Sequence, residues 1–182
     1  QALSLDVDAV RLTLTDRQTL SARLLVGADG RDSWIRERAG LEAIHTPYGE
    51  QGVVANFACA EPHHDTAFQW FRDDGVLAWL PLPGQRISMV WSTPEAHADT
   101  LRSLSPEALC ARVAEAGGKR LGDLEPITPP AAFPLRLMRV PRVIAPRLAL
   151  LGDAAHGIHP LSGHGVNLGF RDAAGLAGLL AA

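Results

Sequence analysis

With 182 residues, 47% of them hydrophobic and 20% charged, the chain has ordinary globular composition and enough length to bury one core or two small ones. Its 17 Lys and Arg against 20 Asp and Glu give a formal charge of -3 with no basic block, which excludes nucleic acid as a favoured partner. Cys59 and Cys110 stand far apart and outside any metal-ligand spacing, so they read as buried small hydrophobes in a reducing compartment, and no apolar run approaches the length of a membrane span.

Residues 1–27 read as strands. Val10, Leu12 and Leu14 alternate with Arg11, Thr13 and Thr15, a period-two pattern. Thr15 to Gln18 can turn the chain, and Leu20 to Val26 returns, giving a β-hairpin. The return runs into Gly27-Ala28-Asp29-Gly30-Arg31-Asp32-Ser33-Trp34-Ile35-Arg36, a strand-to-helix break that puts a carboxylate at the mouth of a sheet. Ser33 is the expected N-cap of the helix that follows. On these residues alone, a capped turn with a satisfied Asp29 accounts for the stretch.

Residues 41–65 look irregular except for a strand from Gly52 to Ala60. Three strand-like runs follow, 66–72, 76–82 and 86–92, separated by the tight-turn sequences Asp73-Asp74-Gly75 and Pro83-Gly84-Gln85. Phe68 and Trp70, Leu77 and Trp79, and Met89 and Trp91 each share a face, so the runs predict an antiparallel meander. Its three tryptophans either pack the sheet against helices or wall an apolar ligand pocket. Ser105-Pro106-Glu107 predicts a helix start, and Gly117-Gly118 its end. After the prolines 126, 129 and 130, the segment 131–138 reads as a strand, and 147–151 as a buried one.

That last strand feeds Gly152-Asp153-Ala154-Ala155-His156-Gly157-Ile158-His159-Pro160-Leu161-Ser162-Gly163-His164-Gly165-Val166-Asn167-Leu168-Gly169, a glycine-rich loop entering an Ala/Leu/Gly-rich helix. Three chemistries compete for it. A metal site would use His156, His159 and His164, but Pro160 and the glycines break the helical spacing and no carboxylate or thiolate pair completes the set. A serine hydrolase would use Ser162 with His156 and Asp153, but there is no G-x-S-x-G elbow. A dinucleotide site explains both Gly/Asp stretches and the glycine-rich helix entry together, because glycines admit a ligand to the backbone and a helix start favours negative charge.

The two stretches also carry a resemblance. Gly27 to Arg36 resembles the motif G-A-D-G-x-x-S-x-x-R. Gly152-Asp153-Ala154-Ala155-His156 with Pro160, Gly163, Gly165, Asn167 and Asp172 resembles the "GD" motif of the same proteins, the flavin-dependent aromatic hydroxylases with the para-hydroxybenzoate hydroxylase fold. Leu80-Pro81-Leu82-Pro83-Gly84, Val90-Trp91-Ser92 and Phe133-Pro134-Leu135 are most similar to the ubiquinone-biosynthesis branch.

The resemblance implies an α/β FAD-binding fold, truncated, with an α+β substrate domain on an antiparallel sheet. Residues 1–44 and 135–182 would belong to the FAD-binding domain and 45–134 to the substrate domain. A G-x-G-x-x-G turn for the FAD pyrophosphate is expected in this family and does not occur here, and the open on Gln1 and close on Ala181-Ala182 read as the edges of a fragment that is inactive alone. The cofactor residues carried over are Asp29 and Gly30 near the pyrophosphate, Gly152 and Asp153 at the ribityl chain, and Pro160, Gly163, His164, Gly165, Val166 and Asn167 along the isoalloxazine. Trp70, Trp79 and Trp91 would line the substrate pocket, no metal is implied, and His156 and His159 are the only side-chain candidates for acid–base work. The family usually carries Gln at the position of His164, so an amide contact there is lost.

The implied activity is hydroxylation of the aromatic ring of a prenylated phenol in ubiquinone biosynthesis, with FAD as cofactor, NAD(P)H as reductant and O2 adding through a 4a-hydroperoxyflavin. The competing expectations are a same-fold hydroxylase of a small soluble phenol and a non-catalytic binder of a prenyl lipid. The expected location is the cytoplasm, with peripheral contact to the inner membrane or a biosynthetic complex suited to a lipid substrate.

Overall fold

The computed structural model describes residues 1–182, the side chain of Ser162 excepted. In chain order the elements are β1 (Ala2–Leu5), β2 (Val10–Thr13), β3 (Thr19–Ala22), β4 (Leu25–Gly27), α1 (Trp34–Arg38), β5 (Ile44–Cys59), β6 (Phe68–Arg72), β7 (Gly75–Leu82), β8 (Arg86–Pro94), α2 (Glu95–Ser103), α3 (Pro106–Ala116), β9 (Leu124–Pro126), β10 (Ala131–Arg139), β11 (Ile144–Ala145), β12 (Leu148–Leu150), β13 (His156–Gly157) and α4 (Gly165–Ala181). Short 3-10 turns occupy Gly152–Ala154 and Pro160–Ser162. The chain divides into two compact units, 1–46 with 136–182, and 47–135.

In the first unit β1, β2 and β3 form an antiparallel sheet, and Arg17 takes a left-handed turn conformation in the β2–β3 loop. The expected single return strand is in fact two. It breaks at Arg23-Leu24, where Arg147 reaches in to donate to the carbonyl of Arg23 and Leu25 N donates to the Arg147 carbonyl. Beyond the break β4 leaves the hairpin and pairs in parallel with β12, Leu25 opposite Leu148 and Gly27 opposite Leu150, while β11 flanks β12 antiparallel. Leu148 and Leu150 are buried with Leu41, Met138, Val140, Ala154 and Ala155, and Leu25 and Ile35 pack against them. This core sets the two strand ends side by side, and both motif loops leave from those ends.

In the second unit the strand order is β10-β5-β8-β7-β6, with β9 paired to the end of β5. Cross-strand register places Phe68 opposite Trp79, Trp79 opposite Met89, Leu77 opposite Trp91 and Trp91 opposite Val53. That face is covered by Ala98 and Leu101 of α2 and by Leu109, Cys110, Val113 and Ala114 of α3. Ser105 caps α3, its hydroxyl accepting from Ala108 N. Helix α2, which the sequence pattern did not reveal, starts behind Pro94 with no side-chain cap and only two buried residues. Cys59 and Cys110 are free and buried, and burial pushes both thiols up. Among the described residues no helix is long and apolar enough to cross a membrane.

Candidate functional site

The two motif loops meet in the first unit, and their side chains do different work. In the first loop Asp29 accepts from Ser33 Oγ at 2.5 Å and from Ile35 N at 3.1 Å. Ser33 Oγ in turn accepts from Arg36 N at 2.9 Å, which caps α1. Partial burial acts to raise the Asp29 carboxyl, but the hydrogen bonds from Ser33 and the backbone outweigh it and hold the group below the usual carboxylate value. Arg36 is buried, and its guanidinium donates to Ala154 O at 3.0 Å and to Arg31 O at 2.9 Å. One arginine therefore ties the first loop to the second. Asp29, Ser33 and Arg36 are all spent on holding the loops in place.

The second loop begins at Gly152, whose φ of +55° suits glycine and whose neighbour across the turn is Gly169 of α4. A Cβ on Gly169 would stand 3.3 Å from the Gly152 Cα, so the turn and the helix pack backbone to backbone. Asp172, one turn further along α4, accepts from Gly152 N at 2.9 Å and pairs with His156 Nε2 at 2.6 Å. Its carboxylate thus fixes both ends of the 3-10 turn. Asp153 lies on that turn, exposed, with its side chain in no hydrogen bond among the described residues.

Between the loops lies a cleft of about 640 Å³, within the range of small-molecule sites. Gly30 from the first loop and Gly152, Asp153, Pro160, Gly163, Gly165 and Val166 from the second all line it. Those are seven of the ten expected cofactor residues. Asp29 does not line it; Ala28, Gly30 and Arg31 form that part of the wall, because the Asp29 carboxylate turns back to α1. His164 and Asn167 border a neighbouring depression with Ile158, Leu168 and Arg171. Nothing lies within 4 Å of where a Cβ would stand on Gly30, Gly163 or Gly165, so bare backbone faces open space there. His164 precedes α4 without a side-chain cap, which leaves the first-turn N–H groups available at the positive end of a 17-residue helix.

His156 and His159 both have local partners: His156 pairs with Asp172, and His159 Nδ1 accepts from Leu161 N at 3.2 Å. The serine reading falls on the Ser162 side chain, outside the described residues. No group of three or more His, Cys, Asp or Glu among the described residues is placed to hold a metal ion. Residues the sequence reading missed are Arg31, Ile158 and Phe170, all on the cleft wall. Helical spacing held the clue to Phe170, since Val166, Gly169, Phe170 and Ala173 share one face of α4 and all four line the cleft.

The tryptophan expectation requires a correction. Trp79 and Trp91 are fully buried within their own unit, and Trp79 presses so closely on the end of α3 that a Cβ on Gly117 would stand 2.2 Å from its ring. Trp70 stacks edge-on against Trp79 at 4.8 Å in the same layer. Helices α2 and α3 occupy the face these rings were expected to offer to a ligand. The opposite face carries Val54, Ala78 and Val90 in one cross-strand row and Asn56, Leu80 and Ser88 in the next. Phe71 and Leu80 on that face are exposed.

The FAD binding domain family matches residues 2–182 of this chain. The chain belongs to that family. Ubiquinone hydroxylase UbiL of Rhodospirillum rubrum is 41% identical over 181 residues, covering 100% of this chain and 42% of the relative. The 3-demethoxyubiquinol 3-hydroxylase of Escherichia coli is 36% identical over 173 residues, covering 95% of this chain and 44% of the relative. PqsL of Pseudomonas aeruginosa, solved in complex with 2-aminobenzoylacetate, superposes with a TM-score of 0.79 at 29% identity, covering 97% of this chain and 51% of PqsL. The chain spans less than half the length of these two curated relatives. Its fold is that of the flavin monooxygenases, with an antiparallel sheet in the second unit. The cleft chemistry fits FAD: glycine backbone, an uncapped helix start and apolar side chains suit a flat ring system joined to an anionic chain.

Proposed function

We propose that the protein is an FAD-dependent monooxygenase that hydroxylates the aromatic ring of a prenylated phenol in ubiquinone biosynthesis, with NAD(P)H as reductant. The observation that carries this is the convergence of two Gly/Asp loops, distant in sequence, on one cleft at the ends of two adjacent parallel strands. The names and identities of the curated relatives support the substrate class. Bound FAD supplies the redox chemistry that transfers one atom of O2 to an electron-rich ring.

The chain's own residues hold and shape the site. Gly30, Gly152, Gly163 and Gly165 would hold the cofactor through their backbone, and Asp153 would offer a carboxylate to a sugar-like hydroxyl chain. The N–H groups at the start of α4 would favour negative charge on a cofactor held in the cleft. Asp29, Ser33, Arg36 and Asp172 keep those surfaces in register. The apolar face of the second-unit sheet, with Phe71, Val90 and Leu80, is suited to a ring or prenyl chain, while Asn56 and Ser88 supply polar atoms. No side-chain acid or base is needed for this assignment. A lipid-like substrate is best met at a membrane surface or within a biosynthetic complex.

The test is product analysis of the full-length protein with a prenylated phenol, NAD(P)H and O2. A hydroxylated product with matching NAD(P)H consumption supports the reading. Turnover confined to small soluble aromatics, a reading favoured by the likeness to PqsL, would replace it. Tight binding of the prenylated phenol without turnover would make the protein a lipid binder.

A further inference from the structure

Arg31 is the only arginine or lysine among the described residues that line the cleft. Other arginines of its unit are engaged: Arg36 donates to two carbonyls, Arg147 donates to two, and Arg136 pairs with Asp32 at 3.1 Å. The Arg31 guanidinium makes no hydrogen bond or ion pair among the described residues; only its backbone carbonyl is used, by Arg36. Its Nε and Nη2 lie 3.5 Å from where a Cβ on Gly157 would stand, so the guanidinium runs along β13 beside the loop that enters the cleft. A half-buried guanidinium with no counter-charge forgoes hydration without compensation, and five donors in a fixed fork are matched best by an anionic oxygen pair. The nearby uncapped start of α4 adds positive potential of the same sign.

We infer that Arg31 is a cofactor-binding residue whose guanidinium engages an anionic group of FAD, either the diphosphate or the reduced pyrimidine ring. This rests on the FAD reading above. It goes beyond the motif residues, because Arg31 occupies one of the four positions that the motif G-A-D-G-x-x-S-x-x-R leaves open. Asp153, the other full charge on the cleft wall, is suited to hydroxyls and leaves the anion to Arg31.

The experiment uses the full-length protein and its Arg31→Gln and Arg31→Lys variants, with apoprotein titrated against FAD and against riboflavin, and the flavin midpoint potential measured on each holoprotein. Since the Arg31 guanidinium makes no hydrogen bond among the described residues and the carbonyl that Arg36 uses is backbone, Arg31→Gln should fold as the parent does, which circular dichroism checks. Arg31→Gln should weaken FAD binding about ten- to hundredfold, and Arg31→Lys should recover part of the loss. A loss with FAD but not with riboflavin, at unchanged potential, assigns the contact to the diphosphate. A lowered potential, with loss for both ligands, assigns it to the reduced ring. Unchanged FAD affinity and potential in Arg31→Gln, with the parent binding FAD stoichiometrically, overturns the assignment and leaves the FAD reading intact. A raised KM for NAD(P)H alone would likewise overturn it, moving Arg31 to the reductant. A parent protein that takes up no FAD overturns both.

Discussion

The two loops that frame the cleft have similar composition and opposite duties. In residues 27–36 every polar side chain of the motif is turned inward: Asp29 to Ser33 and Ile35, Ser33 to Arg36, Arg36 to two carbonyls. In residues 152–166 the cleft wall is glycine backbone, a carboxylate with no hydrogen bond among the described residues and a helix start without a side-chain cap, held from behind by Asp172. The first loop is a brace and the second a surface. A motif residue can therefore be indispensable without touching the ligand, and substitutions should separate stability from affinity according to the loop they fall in.

The largest effect should come from Arg36, the contact on which the brace depends. Hydrogen bonds to a charged group are worth about 1.5–3 kcal/mol each, so Arg36→Met, which keeps the stem and removes both bonds, should cost about 3–5 kcal/mol. Chemical denaturation of the full-length protein measures this, and a loss below about 1 kcal/mol would break the brace-and-surface distinction. Gly152→Ala comes next. A Cβ at φ +55° costs about 1–2 kcal/mol, its 3.6 Å to the Gly169 Cα being ordinary contact, and the strained turn lines the cleft, so affinity for FAD should fall together with stability.

Asp29→Asn is expected to be smaller, about 0.5–1.5 kcal/mol at pH 7, because the amide can still accept one bond but carries no charge. Its pH dependence is the sharper reading. The folded carboxyl sits below its ordinary value of 3.8, so its contribution is fully present above that value and is lost as pH falls through the lower folded one. The stability gap between the parent and Asp29→Asn should therefore close on acidification below 3.8, and a gap that persists would sever the hydrogen-bond account. Asp153→Asn, on the surface loop, should leave stability within about 0.5 kcal/mol while weakening FAD binding.

The sequence showed the meander and its turns clearly, since period two and Asp-Gly or Pro-Gly turns act locally. It also paired the aromatics correctly on one face. What it could not show is which face helices cover. The covering helix α2 has no cap signal and few apolar positions, so nothing local announced it. The break at Arg23-Leu24 was equally hidden, because it is imposed by Arg147, over 120 residues away, bonding to the Arg23 carbonyl. In the cleft, glycines and the helix entry were legible as types. The destinations of Asp29, Arg36 and Asp172 were not, since each depends on a partner fixed by folding: the Asp29 carboxylate turned onto its own helix, and Arg36 spanned 118 residues to Ala154.

The smallest effect expected on stability, and the finest probe of the surface loop, is His164→Gln. His164 is exposed and makes no side-chain cap at α4, so the exchange should leave stability within about 0.5 kcal/mol. The side chain borders the depression beside the cleft with Asn167 and Arg171, while the backbone that follows it, at Gly165 and Val166, faces the cleft itself. If the backbone alone matters at this position, Gln should reproduce the parent in FAD affinity. The flavin midpoint potential should then match the parent's as well, and a change in either quantity would give the side chain at position 164, and not only its backbone, a part in the flavin environment.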